Sequence, residues 1–180
     1  MAISSEALAL QFIGVTQEQA AFRETAARFA ADVLAPNYAQ AEKDGAISLD
    51  IRRRMGALGL IGVEFPEQYG GLGVDHVTSG VVLEALAEGD FNAAYIQLLG
   101  SLNGAILARH AAPEIAARVL PEIVSGEKLI ALALTEPQGG SDAANLQLRA
   151  VRDGDAYILD GEKTSISMAD QADWAVVFAR

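Results

Sequence analysis

Two short segments in the second half of the chain combine residue types that could bind a ligand. The first, residues 134–142, reads LTEPQGGSD and follows an apolar run typical of a buried strand. Its two glycines let the backbone come close to a ligand, and the N–H groups around Ser141 could then face that ligand. The segment therefore fits a loop that binds an anion or a heteroaromatic ring. A plain surface turn uses the same residue types, so both interpretations stand.

The second segment, residues 160–167, reads DGEKTSIS. Its alternation predicts a strand over 164–167 with Ser165 and Ser167 on one face. A row of hydroxyls on a strand face could bond the polar edge of a cofactor. A half-exposed strand whose serines face water explains the same pattern.

The residues before these segments are rich in Ala, Leu and Glu and predict helices. Thr16 and Gln19 form a capping box for the first helix, and Pro36 should end or kink it. Further helices are predicted after Ser48, over 76–88, over 92–110, and from Pro113 to about Ser125.

The pattern changes near Lys128, where short apolar or alternating runs replace the helical periodicity. Strands are predicted at 129–134, 147–151, 156–159, 164–167 and 174–178, with Asp-Gly turns between several of them. The predicted fold class is α+β. An α-helical domain at residues 1–127 precedes the start of an antiparallel, β-barrel-like domain at residues 128–180.

Composition restricts the partners. The chain carries 24 acidic and 13 basic residues, a formal net charge of -11, which disfavours nucleic acid and anionic lipid. It has no cysteine, and its two histidines, His76 and His110, lack the spacing of a metal site. No membrane span is predicted, and the first 15 residues do not resemble a signal peptide. We expect a cytoplasmic protein without a metal site.

Taken together and in order, these segments resemble the acyl-CoA dehydrogenase family. The resemblance covers essentially the whole chain. It includes the PE and GGLG groups at 66–67 and 70–73, LTEP at 134–137, GSD at 140–142, and the continuation from Gly154 through Lys163 to ADW at 172–174.

The resemblance implies a flavoprotein of fatty acid metabolism. Such enzymes bind FAD and remove hydrogens from the α and β carbons of an acyl-CoA thioester. A carboxylate takes the α-proton, and the β-hydrogen leaves as hydride to the flavin. An electron-transfer flavoprotein is the implied electron acceptor, and a homotetramer is the implied assembly.

Position by position, the resemblance assigns cofactor-binding roles to seven residues. Leu132, Leu134 and Thr135 should lie along the isoalloxazine, with Thr135 at its pyrimidine edge. The remaining assignments are Gly140, Ser141, Ser165 and Ser167. Of these, Ser141 should reach the cofactor phosphate or the CoA arm and so also bind substrate, and Ser167 should approach flavin N5.

Two departures from the family pattern limit these expectations. Ser165 stands where the family usually has an aromatic residue against the flavin, which puts the shielding of the ring in doubt. The family is roughly twice as long as these 180 residues and carries its catalytic glutamate in the C-terminal helical domain. No catalytic residue is therefore assigned here. A non-catalytic subunit that associates with a complete partner, or an acyl-CoA oxidase-like relative, remain alternatives.

Overall fold

The computed structural model describes residues 14–180 and divides the chain into two compact units. The units are Met1–Glu127, the helical unit, and Lys128–Arg180, the β unit. The predicted order of a helical part followed by a β region is confirmed. The prediction about a signal peptide concerns residues that lie almost entirely outside the described part. No helix within residues 14–180 is both long and apolar enough to span a bilayer.

Six α-helices build the described part of the helical unit. They are α1 (Gln17–Phe29), α2 (Ala35–Asp44), α3 (Leu49–Ala57), α4 (His76–Ala87), α5 (Phe91–His110) and α6 (Pro113–Val124). The capping box at α1 is confirmed, because Gln19 N donates to Thr16 Oγ1 at 3.2 Å and Thr16 N donates to Gln19 Oε1 at 3.0 Å. At α3, α4 and α5, the N-cap side chain accepts a hydrogen bond from a first-turn N–H without a reciprocal bond; these caps are Ser48, Asp75 and Asp90.

The helical course continues past Pro36, so of the two expected effects the proline does not have the first, an end of the helix. A π-helical turn, Ala30–Leu34, joins α1 to α2, and Pro36 lies in the first turn of α2. Proline is tolerated there because its missing N–H would have no intrahelical partner in a first turn. Asn37 Nδ2 donates to Val33 O at 2.8 Å and satisfies a carbonyl at this junction. The sequence pattern alone did not predict α2.

The core of the helical unit is packed around Phe65, which is 1% exposed. Phe65 clusters with Ala116, Leu120 and Val124 of α6. On α5, a Cβ added to Gly104 would lie 1.7 Å from Phe65 Cζ. The ring therefore occupies a slot that exists only because residue 104 has no side chain.

The β unit contains two two-stranded sheets. Strands β2 (Arg149–Asp153) and β3 (Ala156–Asp160) form an antiparallel hairpin. Its turn passes through Gly154 at a φ of 61°, as the Asp-Gly signal predicts.

The other sheet differs from the antiparallel expectation. Strands β1 (Ile130–Ala133) and β4 (Trp174–Val177) pair in parallel, with Leu132 opposite Val176. Parallel neighbours need a long connection, and here the hairpin and its flanking loops provide it.

The strand predicted over 164–167 is wrong. Ser165 has a φ of 54°, in the left-handed region that interrupts a strand. A turn follows, in which Ala169 N donates to Ile166 O at 3.3 Å. The alternating hydroxyls of this segment therefore do not share one strand face.

Candidate functional site

At the end of strand β1, two leucines on alternate positions are partly accessible. Ala131 and Ala133 are buried, whereas Leu132 and Leu134 are only half-buried. Ile130 lies on the same face by alternation but is only 4% exposed, so the accessible part of this face is limited to Leu132 and to Leu134, which directly follows β1. These two leucines form a strip that could contact a flat apolar ligand.

The chain leaves this strip through Thr135 and returns beside it at Gly140. Thr135 is half-buried, and a Cβ added to Gly140 would lie 3.1 Å from Thr135 Oγ1. A Cβ added to the adjacent Gly139 would meet nothing within 4 Å. Gly140 therefore keeps the space around the Thr135 hydroxyl clear. Gly139 does not border that space.

The loop is held by the carboxylate of Glu136, which is 3% exposed. It accepts hydrogen bonds from Lys163 Nζ at 2.8 Å, Gln147 N at 2.6 Å and Leu148 N at 2.9 Å, and also from the side-chain amide of Gln138. A buried carboxylate with so many donors is anchored rather than available for proton transfer.

These donors set the titration of Glu136. The hydrogen bond from Lys163 lowers its pKa most, burial opposes that effect, and the backbone N–H groups of Leu148 and Gln147 lower the pKa further, to about 2. The carboxylate is ionised throughout the neutral range, and this fits a structural role.

Lys163 also connects the two segments that the sequence singled out. Its Nζ donates to Leu134 O at 3.0 Å as well as to Glu136, and Thr164 N donates to Thr135 O at 3.0 Å. Both partners of the ion pair are nearly inaccessible, with side chains 8% and 2% exposed. The segment that carries Ser165 is thereby fixed to the end of β1.

The structure brings four of the seven predicted site residues together at the end of β1, namely Leu132, Leu134, Thr135 and Gly140. Ser165 follows within one residue of the Thr164 contact, and its side chain is exposed. Ser141 and Ser167 are also exposed, in the loop after Gly140 and in the turn after Ser165. The cofactor and substrate roles of all seven residues stay predictions.

The sequence analysis missed a polar cluster in the helical unit. Glu64 accepts hydrogen bonds there from Ser79 of α4 and Ser101 of α5, and buried Gln97 contacts both serines. A signal was present, because Gln97 and Ser101 are four residues apart on a largely apolar helix and so share a face.

Family models match both units of the chain. The acyl-CoA dehydrogenase N-terminal domain matches residues 16–127, and the middle domain of the same family matches residues 131–180. The chain belongs to the acyl-CoA dehydrogenase family. The resemblance inferred from the sequence motifs is confirmed.

Individual relatives agree with this assignment. Mitochondrial isobutyryl-CoA dehydrogenase of Bos taurus is 34% identical over 168 residues, which are 93% of this chain and 40% of that protein. The subunit CarC of the caffeyl-CoA reductase-Etf complex of Acetobacterium woodii is 35% identical over 142 residues, 78% of this chain and 38% of that protein.

A solved structure shares the fold. Glutaryl-CoA dehydrogenase of Mycobacterium smegmatis in complex with FADH2 is 29% identical, with a TM-score of 0.84 over 92% of this chain and 43% of that one. The chain thus spans about two fifths of the length of the relatives it matches.

The end of β1 fits an isoalloxazine in its chemistry. The strip of Leu132 and Leu134 suits the apolar surface of the ring, and the Thr135 hydroxyl can donate to or accept from a polar edge. Gly140 keeps the space beside that hydroxyl free, as measured by the 3.1 Å approach of an added Cβ. These residues of the β unit could hold FAD.

Proposed function

We propose that this chain provides the flavin-binding side of an FAD-dependent acyl-CoA dehydrogenase. The observation that carries the proposal is the half-buried leucine strip of β1, which ends at Thr135 beside Gly140. Membership in the family supports the reaction class, α,β-dehydrogenation of an acyl-CoA thioester within fatty acid metabolism.

Each residue of the site has a distinct task in this proposal. Leu132 and Leu134 contact the ring and exclude water from it, and Thr135 fixes the orientation of the ring through its hydroxyl. Glu136 and Lys163 hold the strand end in place without touching the ligand. FAD, when bound, supplies the acceptor for the hydride that leaves the β-carbon.

The exposed serines complete the proposal. Ser141 binds the cofactor phosphate or the CoA arm from the loop after Gly140, and its exposure leaves it accessible to either group. Ser167 is proposed to approach flavin N5. Ser165 is proposed to lie beside the flavin without the shielding that an aromatic ring would give.

An electron-transfer flavoprotein is the proposed electron acceptor. The support is the relative CarC, whose name places it in a complex with Etf. We also propose that the chain associates with further copies, as in a homotetramer, or with a partner chain. The hairpin supports association, because Val151, Tyr157, Ile158 and Leu159 are 49–64% exposed and apolar side chains gain free energy when covered. The cytoplasmic location stays a prediction.

One observation favours the non-catalytic alternative. Ser165 offers no aromatic surface, and its left-handed backbone, with a φ of 54°, turns the chain away from a strand course. A chain that had lost flavin binding could retain the fold and still associate with a complete partner.

The deciding measurement is an absorbance titration of the purified chain with FAD, followed by anaerobic addition of isobutyryl-CoA. Bound flavin that bleaches with the thioester supports the dehydrogenase. Flavin that binds without bleaching supports the flavin site and leaves proton abstraction to a group outside these residues. Absence of flavin binding contradicts the proposal and favours the non-catalytic alternative.

Two adjacent glycines provide a matched test of the site. Gly140→Val places a side chain against Thr135 and should weaken FAD binding at least roughly tenfold, an effect on the scale of one lost hydrogen bond. Gly139→Val has open space around its Cβ and should leave FAD affinity unchanged. Equal affinities in the two variants would contradict the proposed position of the ring.

A further inference from the structure

A cavity lies between α4 and α5 in the helical unit. Its volume is about 250 Å³. Its polar side is formed by Glu64, Ser79, Gln97 and Ser101, and its apolar side includes Leu83, Leu98 and Leu102. We call it the α4–α5 cavity. Pockets for drug-sized ligands start at roughly 300 Å³, so this one suits a smaller molecule.

On the polar side of the cavity, fewer protons can be donated than there are short hydrogen-bond contacts. Four contacts are short: Ser79 Oγ and Ser101 Oγ to Glu64 Oε2 at 2.9 and 2.7 Å, Gln97 Nε2 to Ser79 Oγ at 2.9 Å, and Ser101 Oγ to Gln97 Oε1 at 2.8 Å. Each serine has one hydroxyl proton, and one amide proton of Gln97 points at Ser79. Since the Ser101 proton cannot serve both of its acceptors, the cluster has an excess of acceptors.

The second oxygen of Glu64 increases that excess. Among the described residues, its contact is with His76 Nδ1 at 3.7 Å, and the His76 side chain is 77% exposed. A pair at that distance with an exposed ring is loose and screened by water. The Glu64 side chain itself is 9% exposed, so a largely enclosed carboxylate lacks a close cation.

One wall of the cavity includes a glycine, Gly80. Gly80 lies inside α4, where glycine destabilises a helix relative to alanine, and a Cβ added to it would meet nothing within 4 Å. Packing within the unit therefore does not require glycine at this position. Gly80 lines the cavity and is itself exposed, so this position can be substituted to test the site.

We propose that the α4–α5 cavity binds a small aliphatic amine in its ammonium form. The ammonium donates to Glu64 and supplies both the missing donor and the missing charge, and Leu83, Leu98 and Leu102 cover the hydrocarbon part. The amine can be a free molecule or the end of an acyl chain. Only the second source rests on the proposed acyl-CoA function.

The test compares three head groups on one hydrocarbon, pentylamine, 1-pentanol and pentanoate, by NMR of the histidine rings. The chain has two histidines, so His76 at the cavity reports binding and His110 serves as the internal reference. We expect pentylamine to shift the His76 signals, 1-pentanol to bind at least roughly tenfold more weakly, and pentanoate not to bind. No response to pentylamine, or an equal response to pentanoate, would overturn the proposal.

Substitutions at the cavity test whether pentylamine binds there, and a control substitution separates loss of binding from loss of folding. Glu64→Gln should weaken pentylamine binding at least roughly tenfold, and Glu84→Gln, at an exposed position of α4, should not. Gly80→Leu should abolish binding of both the amine and the alcohol by filling the cavity. Unchanged pentylamine binding in Glu64→Gln and Gly80→Leu would contradict the assignment of the ligand to this cavity. Circular dichroism checks that each variant is folded.

The two sources are separated by a second titration with 6-aminohexanoyl-CoA and hexanoyl-CoA. If the amine belongs to an acyl chain, 6-aminohexanoyl-CoA perturbs His76 and binds more tightly than hexanoyl-CoA. If the two thioesters bind equally while pentylamine still perturbs His76, the cavity binds free amines. Absence of FAD binding with intact pentylamine binding contradicts the proposed function and leaves the cavity assignment in place.

Discussion

The helical unit and the β unit are stabilised in different ways. The helical unit buries Phe65, Leu120 and many other apolar side chains in a close-packed core. In the β unit, the hairpin strands β2 and β3 are almost fully exposed, and the loop beside β1 is held by the buried ion pair of Glu136 and Lys163. Apolar burial therefore fixes the helical scaffold, whereas a buried ion pair fixes the loop that follows β1.

The two units can be followed separately. Trp174, in β4, is the only tryptophan of the chain, so its fluorescence reports on the β unit. Far-ultraviolet circular dichroism reports mainly on the helices. Transitions that do not coincide would show that the units unfold separately.

The largest effect is expected from Glu136→Gln. The substitution leaves Lys163 buried without a counter-charge and directs amide protons at existing donors, and removal of one member of a buried pair is strongly destabilising. We expect the urea midpoint of the Trp174 signal to fall by about 1 M or more. Glu162→Gln, at an adjacent exposed carboxylate, is the control and should change little. Equal midpoints for the two variants would contradict the clamp.

Acidification should produce a comparable loss in the β unit of the unsubstituted protein. The pKa of Glu136 is about 2 in the folded chain against an ordinary 4.5, so the folded state binds the proton less readily than the unfolded state. Its contribution is complete above pH 4.5 and is lost as the pH falls towards 2. Stability measured by Trp174 fluorescence across this interval should fall more steeply than in Glu136→Gln. If stability falls with pH equally in the unsubstituted protein and in Glu136→Gln, protonation of Glu136 does not cause the loss of stability.

A smaller effect is expected in the core of the helical unit. Gly104→Ala places a methyl group inside the Phe65 ring position and should cost about 2 kcal/mol of unfolding free energy, despite the better helix propensity of alanine. Urea unfolding followed by circular dichroism measures the change. An unchanged or increased stability would mean that the slot around Phe65 can widen freely.

The smallest effect has the opposite sign. Gly80→Ala, also inside a helix, meets nothing within 4 Å and should stabilise the helical unit by about 0.5–1 kcal/mol. Gly104→Ala adds a methyl group that overlaps Phe65, whereas Gly80→Ala adds one in open space. Comparing the two therefore separates the effect of packing on stability from the effect of helix propensity. Destabilisation by Gly80→Ala would show that this glycine has a structural role after all.

Much of the helical unit could be predicted from the sequence, because caps and periodicity are local signals. Thr16, Ser48 and Asp75 are polar residues at positions where the first N–H groups of a helix need acceptors. Continuation of the helix past Pro36 could not be predicted in this way, since the π-helical turn at Ala30–Leu34 moves the proline into a first turn.

The β unit was harder to predict, because its pairing is not local. The Asp-Gly turn at Gly154 predicts the hairpin, but no local signal reports that β1 pairs in parallel with β4. Alternation at 164–167 suggested a strand, although Ser165 takes a left-handed conformation that serine rarely adopts. The leucine strip and Thr135 could be named from the family resemblance, while the clamp of Glu136 by Lys163 required the folded structure.

The parallel pairing of β1 with β4 also sets an order of events during synthesis. The helical unit is complete at Glu127 and the hairpin closes at Asp160, so both can form while the chain is still emerging from the ribosome. β1 is synthesised earlier than the hairpin but gains its partner only when Trp174–Val177 has emerged. Until then β1 lacks its parallel partner β4, and its unpaired edge is open to association with other strands.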